Sequence, residues 1–134
     1  EENTIICFTS DNGGVSSGDA YATSNLPLRG GTGRHWEGGI RVPLLMRWPD
    51  QLKQGLHYTS PVSTLDLLPT FLAAAGANVS AFLDGINLLQ GIRENAKSLP
   101  QRTLFWRMWR VAAVRQGPWK LIRIAQDPLQ HRRI

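Results

Sequence analysis

A short apolar run near the start of the chain, Thr4-Ile5-Ile6-Cys7-Phe8, leads directly into Asp11-Asn12-Gly13-Gly14. The run is continuous and does not alternate with polar residues, which is typical of a parallel-sheet strand covered on both faces. Asn-Gly is also a strong hairpin signal, but a hairpin requires alternating strands on each side. The run does not alternate, and residues 15–20 do not resemble a strand. The hairpin stays open as the less favoured alternative.

If the run is a central strand, Asp11 and Asn12 follow its carboxyl end, where ligands bind in open α/β sheets. A carboxylate and an amide oxygen suit a hard cation such as calcium or magnesium. Calcium takes about six to eight oxygens, so these two residues predict part of a site.

The segment from 13 to 39 is rich in glycine and has little periodicity. Such a long irregular stretch in a compact protein is more often a functional loop than a simple connector. The apolar residues of 40–48 predict a second strand after it. Pro43 lacks an N–H donor, so we expect it at a bulge or at the start of the strand.

A helical pattern begins at Ser63 and ends at Gly76, with apolar residues spaced by three and four. Ser63 and Asp66 match a capping box, and Gly76 suits the carboxyl-terminal cap. Pro69 lies beyond the first turn, so we expect a kink or a short first segment there.

Residues 103–107, 111–115 and 119–123 predict a small antiparallel meander, which follows a polar linker at 94–100. The fold class predicted from the whole pattern is α/β with a β-rich appendix. Neither part looks finished, because a parallel-type strand without neighbours exposes a ladder edge. We therefore expect self-association through the edge at residues 4–8 or 40–48.

Composition limits the remaining possibilities. The 134 residues are 42% hydrophobic and 19% charged, which argues against disorder, and no apolar stretch predicts a membrane span. Cys7 is the one cysteine, so no disulfide forms within the chain, and we expect a buried, inert thiol.

The net charge of +5 is concentrated near the end of the chain, which suggests an anionic partner. The basic residues there are Arg102, Arg107, Arg110, Arg115, Lys120, Arg123, Arg132 and Arg133. Arginines interleaved with Trp106 and Trp109 also occur in single-strand nucleic-acid binders. The same tryptophans suit the core of a sheet, and we predict that nucleic acid is not a partner.

Several motifs, in this order and spacing, resemble the sulfatase family, relatives of alkaline phosphatase in fold. They are Asp11-Asn12-Gly13, Leu28-Arg29-Gly30-Gly31 with Gly33, Glu37-Gly38-Gly39-Ile40-Arg41-Val42-Pro43, and Asp66-Leu67-Leu68-Pro69-Thr70. The resemblance implies a fragment of an alkaline phosphatase-like α/β sheet with helices at 1–99. The start of a carboxyl-terminal β subdomain, a small antiparallel meander, follows at 100–134. The chain thus resembles only the carboxyl-terminal portion of such an enzyme.

The resemblance implies that a parent protein hydrolyses sulfate esters, with Asp11 and Asn12 as calcium ligands. The family's nucleophile is a formylglycine made from cysteine in a Cys-x-Pro/Ala-x-Arg motif, which Cys7-Phe8-Thr9-Ser10-Asp11 does not match. The formylglycine and the other calcium ligands are therefore expected outside this chain, and the isolated chain is expected to be inactive. The family also implies a periplasmic or extracellular location.

One departure concerns the sulfate-binding loop, where the family's Gly-Lys-Gly is replaced by Gly31-Thr32-Gly33. Thr32, Arg34 and His35 are the predicted substrate contacts. Either Arg34 or His35 supplies the missing cation, or the parent protein is a weak or inactive relative. A catalytic acid is a further interpretation of His35, but a loop histidine bonded to its surroundings is the commoner case. We expect Glu37 to accept backbone hydrogen bonds in the glycine-rich turn.

Two further expectations concern the partner of Arg41 and an alternative function of the chain. Arg41 is expected to pair with a carboxylate at the end of the sheet. An alternative function is a non-catalytic module that binds anionic, sulfated glycans through Arg29, Arg34 and the basic meander.

Overall fold

The computed structural model describes residues 2–16, 23–94 and 99–124. The strands are β1 (Ile6–Thr9), β2 (Leu44–Arg47), β3 (Thr103–Met108), β4 (Val111–Gln116) and β5 (Trp119–Ile124). The α-helices are α1 (Glu37–Ile40), α2 (Leu67–Ala74) and α3 (Leu89–Arg93), and a 3₁₀ turn at Thr64–Asp66 precedes α2. Within these ranges β1 pairs with β2, and β3, β4 and β5 form a second sheet in that order. The α/β class with a small meander is confirmed.

The chain divides into two compact units that are not continuous in sequence. One contains Glu1–Phe8 and Leu44–Gln101, and the other contains Thr9–Pro43 and Arg102–Ile134. The glycine-rich segment therefore shares a unit with the meander. The domain division at residues 99 and 100 stays a prediction. No helix in the described ranges is long and apolar enough to cross a membrane.

The second strand starts later than predicted. Residues 37–40 form one helical turn in place of the start of a strand, with the Arg41 N–H donating to the Glu37 carbonyl at 2.7 Å. Pro43 has no N–H to give to a ladder, so the strand begins at Leu44. The prediction that the strand starts at residue 40 was wrong, because Gly38 and Gly39 allow a tight turn that apolar periodicity does not reveal.

The first strand is where it was predicted, but one of its faces is not covered by the described residues, and the other is only half-buried. Phe8 is 64% exposed, and Ile6 of the same strand is also exposed. Leu45 of the paired strand, β2, is exposed as well. The composition of the run still favours burial. The layers that would bury it are not supplied by the part of the chain described here.

The predicted helix is confirmed, with both of its caps. Leu65 N–H donates to Ser63 Oγ at 3.3 Å and Ser63 N–H donates to Asp66 Oδ2 at 2.7 Å, which completes the capping box. Gly76 has a φ of 72°, the left-handed conformation of a helix end. Pro69 follows a short 3₁₀ segment, as expected from its missing donor.

Buried polar groups connect α2 to the segment before α3, a helix that sequence periodicity did not predict. Asp66 Oδ1 accepts the Ile86 N–H at 2.9 Å. Thr70 Oγ1 donates to the Asp66 carbonyl at 2.6 Å and accepts the Leu88 N–H at 3.0 Å. Asp66, Thr70 and Leu88 are fully buried. Asp66 therefore stabilises the fold of this unit through its carboxylate.

The meander is confirmed, and each strand is one residue longer than predicted. Trp106 pairs with Ala113, and Ala113 pairs with Ile122. Arg115 pairs with Lys120. Because directly paired residues lie on the same face, the sheet has two distinct surfaces. We call the face carrying Trp106, Ala113, Arg115 and Lys120 the inner face, since Ala113 is buried.

Candidate functional site

Three glycine motifs that are far apart in sequence meet in one unit of the structure. Gly13 N–H donates to the Gly39 carbonyl at 2.9 Å, and Thr32 N–H donates to the Gly14 carbonyl at 3.1 Å. Gly38 N–H donates to the Arg29 carbonyl at 2.8 Å. These backbone hydrogen bonds join the segment after β1, the loop at 29–34 and the turn of α1. We call Gly13, Gly31, Gly38 and Gly39 the glycine cluster.

The glycine cluster leaves no room for side chains at its contacts. A Cβ on Gly13 would overlap the Gly38 carbonyl, and one on Gly39 would overlap the carbonyls of Gly31 and Arg34. Gly33 differs, because its φ of 76° favours glycine while the space around it is open. The glycines of the cluster are therefore needed for close backbone approach.

A further residue of this junction was missed by sequence analysis. Asn25 Oδ1 accepts the Gly14 N–H at 3.0 Å, and Asn25 Nδ2 donates to the Gly14 carbonyl at 2.8 Å. The amide thus mimics a strand partner for Gly14. The only sequence signal for this role is an asparagine before Leu26-Pro27 in a turn-rich segment, which does not identify its partner.

The predicted metal ligands lie just after β1, beside the glycine cluster. Asp11 is exposed and Asn12 is half-buried, and neither side chain has a hydrogen-bond partner in the described ranges. Ser10 Oγ donates to the Asn12 carbonyl at 2.8 Å, and the backbone bends at Asp11 and Asn12. The carboxylate and the amide are both uncommitted oxygen donors.

These donors fit a hard cation only in part. Residues 2–16, 23–94 and 99–124 contain no group of three or more His, Cys, Asp or Glu side chains placed to hold a metal. Two oxygens are well short of the ligand set that calcium requires. The two oxygens are therefore compatible with part of a hard-cation site, and their assignment as calcium ligands stays a prediction.

The predicted substrate contacts differ in whether their side chains are free to bind an anion. Thr32 Oγ1 donates to the Gly13 carbonyl, so this hydroxyl is engaged in holding the loop to the segment after β1. Arg34 is exposed, and its N–H closes a turn onto the Gly31 carbonyl at 3.0 Å. Of the three positions, Arg34 therefore presents a cation to solvent.

His35 is buried, with 7% of its surface exposed, and its Nδ1 has no hydrogen-bond partner among the described atoms. The expectation of a loop histidine bonded to its surroundings is not met at Nδ1. A buried imidazole nitrogen without a partner is unfavourable, so it is a natural acceptor or donor for a further group.

Arg29 lies over the indole of Trp36, with its guanidinium carbon 3.8 Å from the ring centroid. This cation–π contact fixes a second arginine at the edge of the same loop. Stacking leaves the edge of a guanidinium free to donate hydrogen bonds to an anion.

Glu37 has a role that sequence analysis did not assign. Its side chain was expected to accept backbone hydrogen bonds, but it accepts from Lys120 Nζ at 2.7 Å and from Arg115 Nη1 at 3.2 Å. Partial burial opposes ionisation of the carboxyl. The hydrogen bond from Lys120 and the charges of Lys120, Arg115 and Arg41 outweigh that effect and lower the pKa of Glu37.

Cys7 was expected to be a buried, inert thiol. It is half-buried, and burial raises the pKa of its thiol, which disfavours the thiolate that a nucleophile needs.

The sulfatase family model matches residues 1–77. The chain is 38% identical to mouse (Mus musculus) steryl-sulfatase over 76% of its length and 36% identical to human (Homo sapiens) arylsulfatase A over 89% of it. It spans 18% and 24% of those two proteins. Among solved structures, the chain is similar to Ps i-CgsB in complex with k-i-k-neocarrahexaose, with 38% sequence identity and a TM-score of 0.82. The match covers 95% of this chain and 29% of that structure. The chain belongs to the sulfatase family.

Proposed function

We propose that this chain is part of a parent protein that hydrolyses sulfate esters, in which it supplies two calcium ligands and the sulfate-facing loop. The observation that carries the proposal is the glycine cluster, which brings the Asp11-Asn12 pair and the loop at 29–34 to one place. Membership of the sulfatase family supports the reaction class.

In this proposal Asp11 and Asn12 donate a carboxylate and an amide oxygen to calcium, and the remaining ligands come from residues outside the described ranges. Bound calcium would withdraw charge from the sulfate oxygens and orient the ester. The Ser10 and Gly39 contacts hold the backbone of this ligand pair in place. Rigid support of this kind is what a metal ligand pair needs.

Arg34 supplies positive charge to the sulfate in place of the lysine that Thr32 replaces. Its exposure and its place one residue after Gly33 support that role. The open Nδ1 of His35 offers a further hydrogen bond to the ester or to a bound water. Thr32 contributes through the loop geometry, since its hydroxyl contacts Gly13.

The nucleophile comes from outside this chain, so the isolated chain is inactive. The raised pKa of Cys7 supports this, because a thiol in that state is a poor nucleophile. We further propose a sulfated saccharide as the substrate class, supported by the oligosaccharide bound to Ps i-CgsB. A periplasmic or extracellular location suits such a substrate.

The test is turnover of an aryl sulfate and of a sulfated oligosaccharide by the parent protein. Asp11→Asn should weaken calcium affinity roughly tenfold or more, because it removes the one charged ligand of the pair. Asp50→Asn, in an exposed turn after β2, is the matched control and should leave affinity unchanged. Absence of turnover in the parent, or activity in the isolated chain, would overturn the respective claim.

A second candidate is a non-catalytic module for anionic glycans, which the outer face of the meander favours. Phe105, Trp119 and Leu121 lie there with large exposed areas, together with Arg107 and Arg123. Aromatic rings flanked by guanidinium groups suit a sulfated sugar. If the parent lacks turnover, binding of a sulfated oligosaccharide that Arg107→Gln and Arg123→Gln together abolish would support this module, and unchanged binding would reject it.

A further inference from the structure

Glu37 lies where the glycine cluster and the meander are joined within one unit. Its backbone starts α1, whose next two residues, Gly38 and Gly39, are buried in the cluster. Its side chain extends to the inner face of the meander and contacts β4 and β5. One residue therefore bonds to both parts at once.

The two cations that Glu37 contacts are arranged by strand register. Arg115 and Lys120 are directly opposite one another on neighbouring antiparallel strands. Like charges in such a pair repel unless an anion lies between them. The Glu37 carboxylate, at 3.2 Å from Arg115 Nη1 and 2.7 Å from Lys120 Nζ, compensates both.

The surroundings limit the freedom of this carboxylate. Lys120 Nζ is also 5.7 Å from the centroid of Trp106, and Arg115 Nε donates to the Gly117 carbonyl at 3.2 Å. Both cations are therefore held by a second contact. The pair of ion pairs sets where α1 sits relative to the meander.

The placement of α1 is transmitted to the proposed site by backbone contacts. The Gly39 carbonyl accepts from Gly13, the residue after Asn12, and a Cβ at Gly39 would overlap the Arg34 carbonyl. A shift of α1 by a fraction of an ångström would therefore move the metal ligands and the sulfate-facing loop together. A close-packed junction transmits displacement in this way.

We propose that Glu37 is a positioning residue for the sulfate site, acting through Arg115 and Lys120 of the meander. This inference rests on the proposed function. Its role is the placement of Arg34 and Asp11, with no contact between Glu37 and substrate. The meander thereby becomes part of the machinery that orients the sulfate.

The experiment compares Glu37→Gln with the charge-swapped pair Glu37→Lys and Lys120→Glu in the parent protein. Glu37→Gln should raise KM for an aryl sulfate and weaken affinity for inorganic sulfate by roughly tenfold, because misplaced groups bind the anion less well. The swap should recover most of the affinity, since Glu at position 120 can pair with both Arg115 and Lys at position 37. Glu94→Gln, at the exposed end of α3, is the control for removing a carboxylate and should change neither quantity.

Several outcomes would overturn the inference. A Glu37→Gln variant with a lowered unfolding temperature but unchanged KM and unchanged sulfate affinity would show that the ion pairs are purely structural. Failure of the swap to recover affinity would indicate that the Glu37 carboxylate acts on the ligand directly.

Other outcomes would overturn the proposed function independently of the role of Glu37. A wild-type parent without turnover that still binds inorganic sulfate would overturn the proposed function alone, and the sulfate affinities of the variants would then decide the role of Glu37. A wild type that neither turns over the ester nor binds sulfate would overturn both.

Discussion

At the scale of single residues, glycines determine whether the glycine cluster can form. Gly13 and Gly39 allow two backbones to approach to hydrogen-bonding distance, 2.9 Å, where any side chain would intervene. Gly33 is needed for its backbone conformation instead. The same amino acid therefore has two physical roles within one loop region.

We expect Gly39→Ala to destabilise the parent protein by about 3 kcal/mol, because the added methyl group meets backbone carbonyls that cannot move aside cheaply. Gly33→Ala should cost only about 1 kcal/mol, the strain of a left-handed conformation in open space. Denaturant unfolding measures both. Equal costs for the two variants would contradict the distinction.

Thr70 provides a second test at this scale. Thr70→Val removes the hydroxyl that donates to the Asp66 carbonyl and accepts from Leu88 N–H, and it leaves a buried N–H without a partner. We expect a loss of about 2 kcal/mol in the free energy of unfolding. Thr59→Val, at an exposed loop position, is the isosteric control and should change stability little. A neutral Thr70 variant would contradict the prediction.

At the scale of elements, local signals and long-range contacts were not equally predictable. The caps of the helix at Ser63 and Gly76, and the three strands of the meander, follow from short-range patterns and were predicted correctly. The start of β2 was not, because Gly38 and Gly39 form a turn whose shape depends on contacts with Gly13 and Arg29. Sequence periodicity carries no information on such contacts.

The ion pairs between α1 and the meander should make stability depend on pH. The pKa of Glu37 is lowered in the folded state, so the stabilisation is present above the ordinary glutamate value of 4.5 and is lost as pH falls through the lowered pKa. Wild type should therefore exceed Glu37→Gln in unfolding temperature at neutral pH, and the difference should shrink below about pH 4.5. A difference that stays constant across this range would contradict the assignment.

At the scale of the whole molecule, many large apolar side chains remain exposed in the described ranges. Members of this set include Ile6, Phe8, Leu45, Phe105, Trp119 and Leu121. The chain also spans a minor share of its sulfatase relatives. Apolar area of this extent is unfavourable in water and promotes association.

We expect the isolated chain to self-associate through β1 or β2, because both strands belong to a two-stranded sheet and carry exposed apolar side chains. Sedimentation velocity over a range of concentrations measures this. Phe8→Lys should reduce the association, since charge on an edge strand opposes pairing, whereas Phe82→Lys, in an exposed turn, is the control. A monomer at high concentration would contradict the prediction.

The sequence by itself determined the family, the class of fold, the helix caps, the meander and the candidate pair Asp11-Asn12, because each of these is written in local residue order. Only the tertiary structure decided that Glu37 joins Arg115 and Lys120, that Asn25 pairs with Gly14 and that Thr32 is bonded to Gly13. The partners in these contacts are eleven to eighty-three residues apart along the chain. Their meeting depends on the close approach of glycine backbones and on strand register, which local patterns do not specify.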